Sequence, residues 1–199
     1  MKKKIILDLC GGTGAWSNPY KEAGYDVRNI TLPENDVRLY EPPKNVYGIL
    51  AAPPCTMFSF ARTKAKKSRN LQEGMSLVLA CLRIIWHCQY QIKSDTQKQS
   101  PLKFWVLENP NGMLKWFLGN PVFEFSPYDF GDSYKKKTHL WGYFNIPKKT
   151  KELNSDTMVK FDRMTSRDIA PEYFNKLTRQ ERRAITPKGF AEAFYKLNK

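Results

Sequence analysis

A chain of 199 residues is long enough for one well-buried domain and too short for two, so a single domain over residues 1–199 is expected. Hydrophobic residues make up 41% and aromatics 14%, with five Trp and twelve Phe, which excludes wholesale disorder. Lys and Arg number 33 against 19 acidic residues, and the formal charge of +14 suits a phosphate-rich partner, although generically basic proteins share such a charge.

Residues 4–9 (KIILDL) form a short apolar run that ends at Gly11-Gly12, the pattern of a buried strand entering a tight glycine turn. A helix is expected from about Ser17 to Ala23, stopped by Gly24. Tyr25 to Leu32 then reads as a second strand ahead of the polar segment Pro33-Glu34-Asn35-Asp36. Val46 to Ala52 is a third apolar strand, halted by Pro53-Pro54. Strand, helix and strand in that order predict an α/β fold on a mostly parallel, doubly wound sheet.

A basic loop, TKAKKS, lies between Arg62 and Arg69. It leads into a long amphipathic helix with Leu71, Met75, Val78, Leu82 and Ile85 on one face. The helix dissolves into the polar stretch KSDTQKQS, and Phe104 to Leu107 makes a further strand ending at Glu108-Asn109-Pro110. Two more strands are expected around Val122–Phe125 and Thr138–Phe144, joined by YDFGDSYKKK. Residues 148–170 are polar and weakly periodic, and a last helix is expected over about Pro187–Leu197.

The four cysteines, Cys10, Cys55, Cys81 and Cys88, include no CxxC pair, and the chain has two His, so neither a zinc site nor a disulfide framework is indicated. A reducing cytoplasm fits this usage. Asp8 interrupts the apolar run of the basic N-terminus, and no run of roughly 18 apolar residues occurs, so neither export nor membrane insertion is expected.

Three expected strand ends carry distinctive groups. Asp8-Leu9-Cys10-Gly11-Gly12-Thr13-Gly14 lies where a doubly wound sheet places its ligand, and glycines let backbone approach a nucleotide-like molecule. No Gly-Lys-Ser/Thr follows, which argues against a nucleoside triphosphate. Pro53-Pro54-Cys55 follows the third strand and can present a thiol, which needs a cation, a helix N-terminus or a proton acceptor to become nucleophilic. Cys10, Cys81 and Cys88 read by themselves as small buried hydrophobes. Glu108-Asn109-Pro110 brings a carboxyl group to the same edge, with ordinary turn chemistry as the alternative.

In sequence order, DLCGGTGAWS, APPCTMFS and ENPNGML resemble the DNA cytosine-5 methyltransferase family, over Lys4 to about Gly142, roughly two-thirds of the chain. The resemblance implies a Rossmann-like class I S-adenosylmethionine-dependent methyltransferase fold. S-adenosylmethionine would bind at Asp8, Cys10, Gly11, Gly12 and Gly14, with Trp16 flanking it, Pro53 adjoining it and Asp36 on its adenine amino group. Cys55 would be the covalent nucleophile, Glu108 would hydrogen-bond the cytosine ring, and Asn109 would hold the loop. The partner implied is double-stranded DNA with the target base flipped out, read by a monomer or with a helper subunit.

Departures from the family pattern follow. DSYKKKT resembles the Gln-x-Arg-x-Arg element with Lys135 and Lys137 at the arginine positions, which loses the planar guanidinium fork; a solvated charge run is the alternative. No clear counterpart exists for the acidic residue that holds the ribose, Glu34 being nearest. The target-recognition region shrinks to about residues 145–182, a minimal reader in keeping with a phage or mobile-element enzyme that guards DNA against restriction. Arg179, Arg182 and Arg183 are candidates for phosphate contact. RNA or another pyrimidine as substrate, and a catalytically silent nucleic-acid-binding subunit, are the alternatives to a DNA enzyme.

Overall fold

The computed structural model describes residues 3–60, 62, 65–90, 100–132, 134–150, 159–160 and 171–199. In chain order its strands are β1 (Ile5–Leu9), β2 (Asp26–Ile30), β3 (Val46–Ala51), β4 (Phe104–Pro110), β5 (Phe123–Phe125), β6 (Tyr134–Lys135), β7 (Thr138–Tyr143) and β8 (Val159–Lys160). Its α-helices are α1 (Asn18–Glu22), α2 (Leu71–Gln89), α3 (Lys115–Leu118), α4 (Arg179–Ala184) and α5 (Lys188–Leu197).

Six strands form one mixed sheet in the order β2-β1-β3-β4-β7-β5, and β6 pairs separately with β8. β2, β1, β3 and β4 run parallel, while β7 is antiparallel to both β4 and β5. β1, β3 and β4 are neighbours, so the segments that leave their carboxyl ends meet at one edge. This single α/β domain is compatible with a Rossmann-like fold. Among the described residues no helix is long and apolar enough to cross a membrane.

The central strands read as continuous apolar runs because helices cover both faces of the sheet. Alternation sorts their side chains. Ile6, Leu50, Phe104, Val106 and Leu140 pack toward Phe190 and Phe194 of α5 on one face. Leu7, Leu9, Ile49, Ala51 and Leu107 pack toward Val78, Cys81, Ile84 and Ile85 of α2 on the other.

The sequence boundaries hold for β1, β2, β3 and α5 to within a residue or two, and the expected long helix is α2, with two informative differences. β4 runs three residues past Leu107, because β7 supplies antiparallel partners to Glu108, Asn109 and Pro110. Pro110, which has no N–H to donate, comes last in the strand. On α2, the expected Val78 and Ile85 are fully buried, whereas Leu71, Met75 and Leu82 are partly covered. Its most buried stripe also takes in Gly74, Cys81 and Cys88. Gly74 sets that rotation: a Cβ there would stand 2.9 Å from Met57 Cβ and 3.0 Å from the Phe58 ring.

Of the expected recognition segment 145–182, only residues 145–150, 159–160 and 171–182 are among those described, and most of the polar stretch 93–100 lies outside them.

Candidate functional site

The glycine loop departs from β1 with left-handed backbone at Cys10 (φ 58°), Gly12 (φ 54°) and Gly14 (φ 74°). Gly11 is required for another reason, since a Cβ there would lie 2.3 Å from the Asp8 carboxyl carbon. Asp8 is fully buried beneath the loop and accepts a 2.6 Å hydrogen bond from Ser17 Oγ. Burial pushes its carboxyl up to about 6, against the Ser17 bonds that favour the anion. Asn29 Nδ2 donates to the Gly12 carbonyl at 2.9 Å. The other oxygens, Asp8 Oδ1 and Asn29 Oδ1, are buried without a hydrogen-bond partner among the described residues.

A cleft of about 600 Å³ opens beside this loop, lined by Thr13, Gly14, Ala15 and Asn18 on one wall and by Tyr134, Thr186 and Pro187 on the other. That size suits a nucleoside-scale ligand. A more open hollow of about 560 Å³ around Lys3, Lys21 and Tyr25 lies near the starts of β1 and β2, where none of the three strand-end groups stands.

The Cys55 loop is fixed from several sides. Phe58 and Ser59 donate their N–H groups to the Cys55 carbonyl, each at 2.9 Å, which folds the segment into a turn. Asn109 Nδ2 donates to the Pro53 carbonyl at 2.9 Å, and Arg69 donates to the Met57 and Ser59 carbonyls at 2.9 Å. Gln180 of α4 donates to Thr56 Oγ1 at 3.0 Å. A bridge between Ser59 and Gly112 joins the loop to the chain leaving β4, where a Gly112 Cβ would stand 2.5 Å from the Phe58 carbonyl oxygen.

Cys55 and Glu108 are both partly buried and close enough to sense each other's charge. Burial pushes the Cys55 thiol up; the Lys136 ammonium and, more weakly, Arg183 pull it down, while the Glu108 carboxylate raises it. Burial also pushes Glu108 up, against the same lysine. One cation therefore acts on both groups. Lys136 is held in place by a 3.1 Å hydrogen bond from its ammonium to the Arg183 carbonyl.

The structure differs from expectation in the basic triplet, where Lys136, rather than Lys135 or Lys137, influences Cys55 and Glu108. Lys135 lies exposed on β6, and Lys137 pairs with Glu124 at 2.6 Å. In extended chain, side chains alternate, so a site that takes Lys136 turns its neighbours away.

Other expected residues fall as follows. Cys10 keeps its backbone in the glycine loop, but its thiol lies against Cys81 in the core. Trp16 is 2% exposed and packs on Phe190 and Phe194, with centroids 5.8 and 5.6 Å away, so its ring belongs to the core instead of a ligand's flank. Asp36 follows β2 and is held ionised by Arg38, whose Nε donates to both carboxylate oxygens at 3.0 Å. Pro53 is buried and contributes its carbonyl. Arg182 is also buried, its guanidinium 4.9 Å from the centre of the Phe174 ring, which removes it from the surface where phosphate contact was expected.

Sequence reasoning passed over Lys136, Gln180 and α4. For α4 a signal existed: Thr178 and Glu181 form a reciprocal capping box, legible as Thr-x-x-Glu. No group of three or more His, Cys, Asp or Glu suited to a metal ion occurs among the described residues.

No protein-family model matches the chain, and a search of curated proteins finds no significant match to its sequence.

Proposed function

We propose that the chain is an S-adenosylmethionine-dependent DNA methyltransferase acting on C5 of cytosine, with Cys55 as nucleophile. The observation that carries this reading is that Asn109, next to Glu108, is bonded to Pro53 of the Cys55 loop, bringing the two groups together at the edge where the glycine loop also emerges. The resemblance of DLCGGTG, PPC and ENP to the cytosine-5 family agrees with it.

The glycine loop fits the cofactor. Among the described residues Asp8 Oδ1 and Asn29 Oδ1 are acceptors without donors, suited to a ligand that brings ammonium or hydroxyl groups, and the neighbouring cleft is of matching size. Residues 8–14 and Asp36 would hold it. Bound there, the cofactor supplies an electrophilic methyl group.

The chain's own residues supply the rest. C5 of cytosine is a poor nucleophile until a thiolate adds at C6, so Cys55 Sγ forms the C6–S bond and the ring becomes electron-rich at C5. Charge then builds at N3. Burial pushes the Glu108 carboxyl up, against Lys136, and so favours the protonated form, which donates a hydrogen bond there. Where Glu108 takes up a proton, its opposition to the Cys55 anion is relieved as well. Lys136 favours the thiolate. Once C5 has taken the methyl group, loss of the C5 proton to water and cleavage of the C6–S bond restore the ring and free Cys55.

A net charge of +14 suits a duplex from which the target base is flipped. The test is the 5-methylcytosine content of DNA and of RNA from cells expressing the chain. The reading predicts a rise in DNA alone that Cys55→Ala abolishes. A rise confined to RNA, or one that survives Cys55→Ala, would contradict it.

A further inference from the structure

Phe60 and Trp116 are 44% and 63% exposed, yet their rings stand together with centroids 5.9 Å apart. They come from the two segments that carry the reactive groups. Phe60 ends the turn that begins at Cys55, and Trp116 lies in α3, beyond the end of the strand that holds Glu108. The Ser59–Gly112 bridge and a 2.8 Å hydrogen bond from Met113 N–H to the Phe58 carbonyl stitch these segments together close to the rings. Phe58 is fully buried and meets the Phe117 ring at 6.3 Å, so an aromatic layer also links the two segments.

A paired, exposed aromatic surface marks an interaction site more often than a lone exposed ring does. Its surroundings indicate what it meets. These segments carry Arg62, Lys66, Lys67, Arg69 and Lys115, with no acidic residue between Phe58 and Gln72 or between Asn109 and Phe123. Arg69 is anchored to the carbonyl of Ser59, directly before Phe60. Exposed flat rings borne on basic segments match a nucleobase attached to phosphate.

We propose that Phe60 and Trp116 form a stacking platform for one unpaired nucleobase of the DNA strand beside the cytosine that enters the site. This rests on the DNA reading of Cys55 and Glu108. The Ser59–Gly112 bridge then couples a base on the platform to the position of both reactive groups, so the platform helps decide which neighbouring base is accepted.

The test uses the full chain and its Phe60→Ala, Trp116→Ala and Trp116→Phe variants. Each is titrated with an end-labelled single-stranded oligodeoxynucleotide of about a dozen nucleotides, and with an abasic strand of equal length. Stacking predicts about tenfold weaker binding of the base-bearing strand by either alanine variant, near-normal binding by Trp116→Phe, and no change on the abasic strand. Unchanged affinity in both alanine variants, or an equal loss on the abasic strand, would overturn the platform. Trapping of a covalent adduct on 5-fluorocytosine DNA is scored in parallel. An adduct with no platform effect removes the platform alone, whereas a platform effect with no adduct removes the Cys55 reading and leaves only a base-stacking surface, no longer placed beside a target cytosine.

Discussion

Asn109 Nδ2 donates to the Pro53 carbonyl at 2.9 Å, tying the strand that carries Glu108 to the loop that carries Cys55. Asn109 is 1% exposed, so this bond is made in an environment where an unpaired carbonyl is costly. Asn109→Ala should lower stability by about 1–2 kcal/mol in urea unfolding and reduce adduct formation at Cys55. Asn109→Asp should be worse than Ala above neutral pH, because a buried carboxylate cannot donate and adds an unpaired charge. Equal behaviour of the two variants across pH would contradict this role.

Lys136 is the cation shared by Cys55 and Glu108. Lys136→Met should raise the titration of both groups and slow alkylation of Cys55 by iodoacetamide several-fold at mildly alkaline pH, followed by peptide mass spectrometry. Lys135→Met and Lys137→Met should leave that rate unchanged. The exposed Lys137–Glu124 pair should also contribute less than about 1 kcal/mol to stability. Equal slowing in all three variants would show that the lysines act only through overall charge.

Asp8 has a folded-state pKa of about 6, above the ordinary value of 3.8. A raised acid pKa contributes stability that is full below the unfolded value and is lost as pH rises through the folded one. Two pKa units correspond to about 3 kcal/mol. Relative to the native chain, Asp8→Asn should therefore gain up to that amount between about pH 4 and pH 7. Parallel stability curves over this window would mean that Asp8 is not held by burial in the way described.

Gly112 faces the Phe58 carbonyl so closely that a Cβ would stand 2.5 Å from its oxygen. Gly112→Ala must push apart the Cys55 loop and the chain leaving β4. An expected loss of about 1–3 kcal/mol should appear as a lower urea midpoint, with weaker cytosine-adduct formation in the surviving folded fraction. Native stability and trapping in this variant would show that the bridge is dispensable.

Much of this arrangement was legible in the sequence because it rests on local pattern. Apolar runs at Ile5–Leu9, Val46–Ala51 and Phe104–Leu107 announce strands buried on both faces, and glycine or proline marks where two of them stop. The end of β4 was not legible, since residues 108–110 are extended only because β7 pairs with them from far along the chain. The choice among Lys135, Lys136 and Lys137 was hidden for a similar reason. Local sequence shows three equivalent cations, and only the path between β6 and β7 decides which one turns toward Cys55. Trp16 misled because a large ring beside a glycine loop looks like a ligand contact, whereas Phe190 and Phe194, far along the chain, take its faces.

Nucleophilic attack by Cys55 is tested most directly by covalent trapping on duplex DNA containing 5-fluorocytosine, with S-adenosylmethionine present. Fluorine at C5 cannot leave as a proton would, so the C6–S bond persists through denaturation. A Cys55 nucleophile gives a protein–DNA adduct whose attachment maps to Cys55 and which disappears in Cys55→Ala. No adduct on DNA carrying all cytosine contexts, from protein that binds both the cofactor and the duplex, would contradict it.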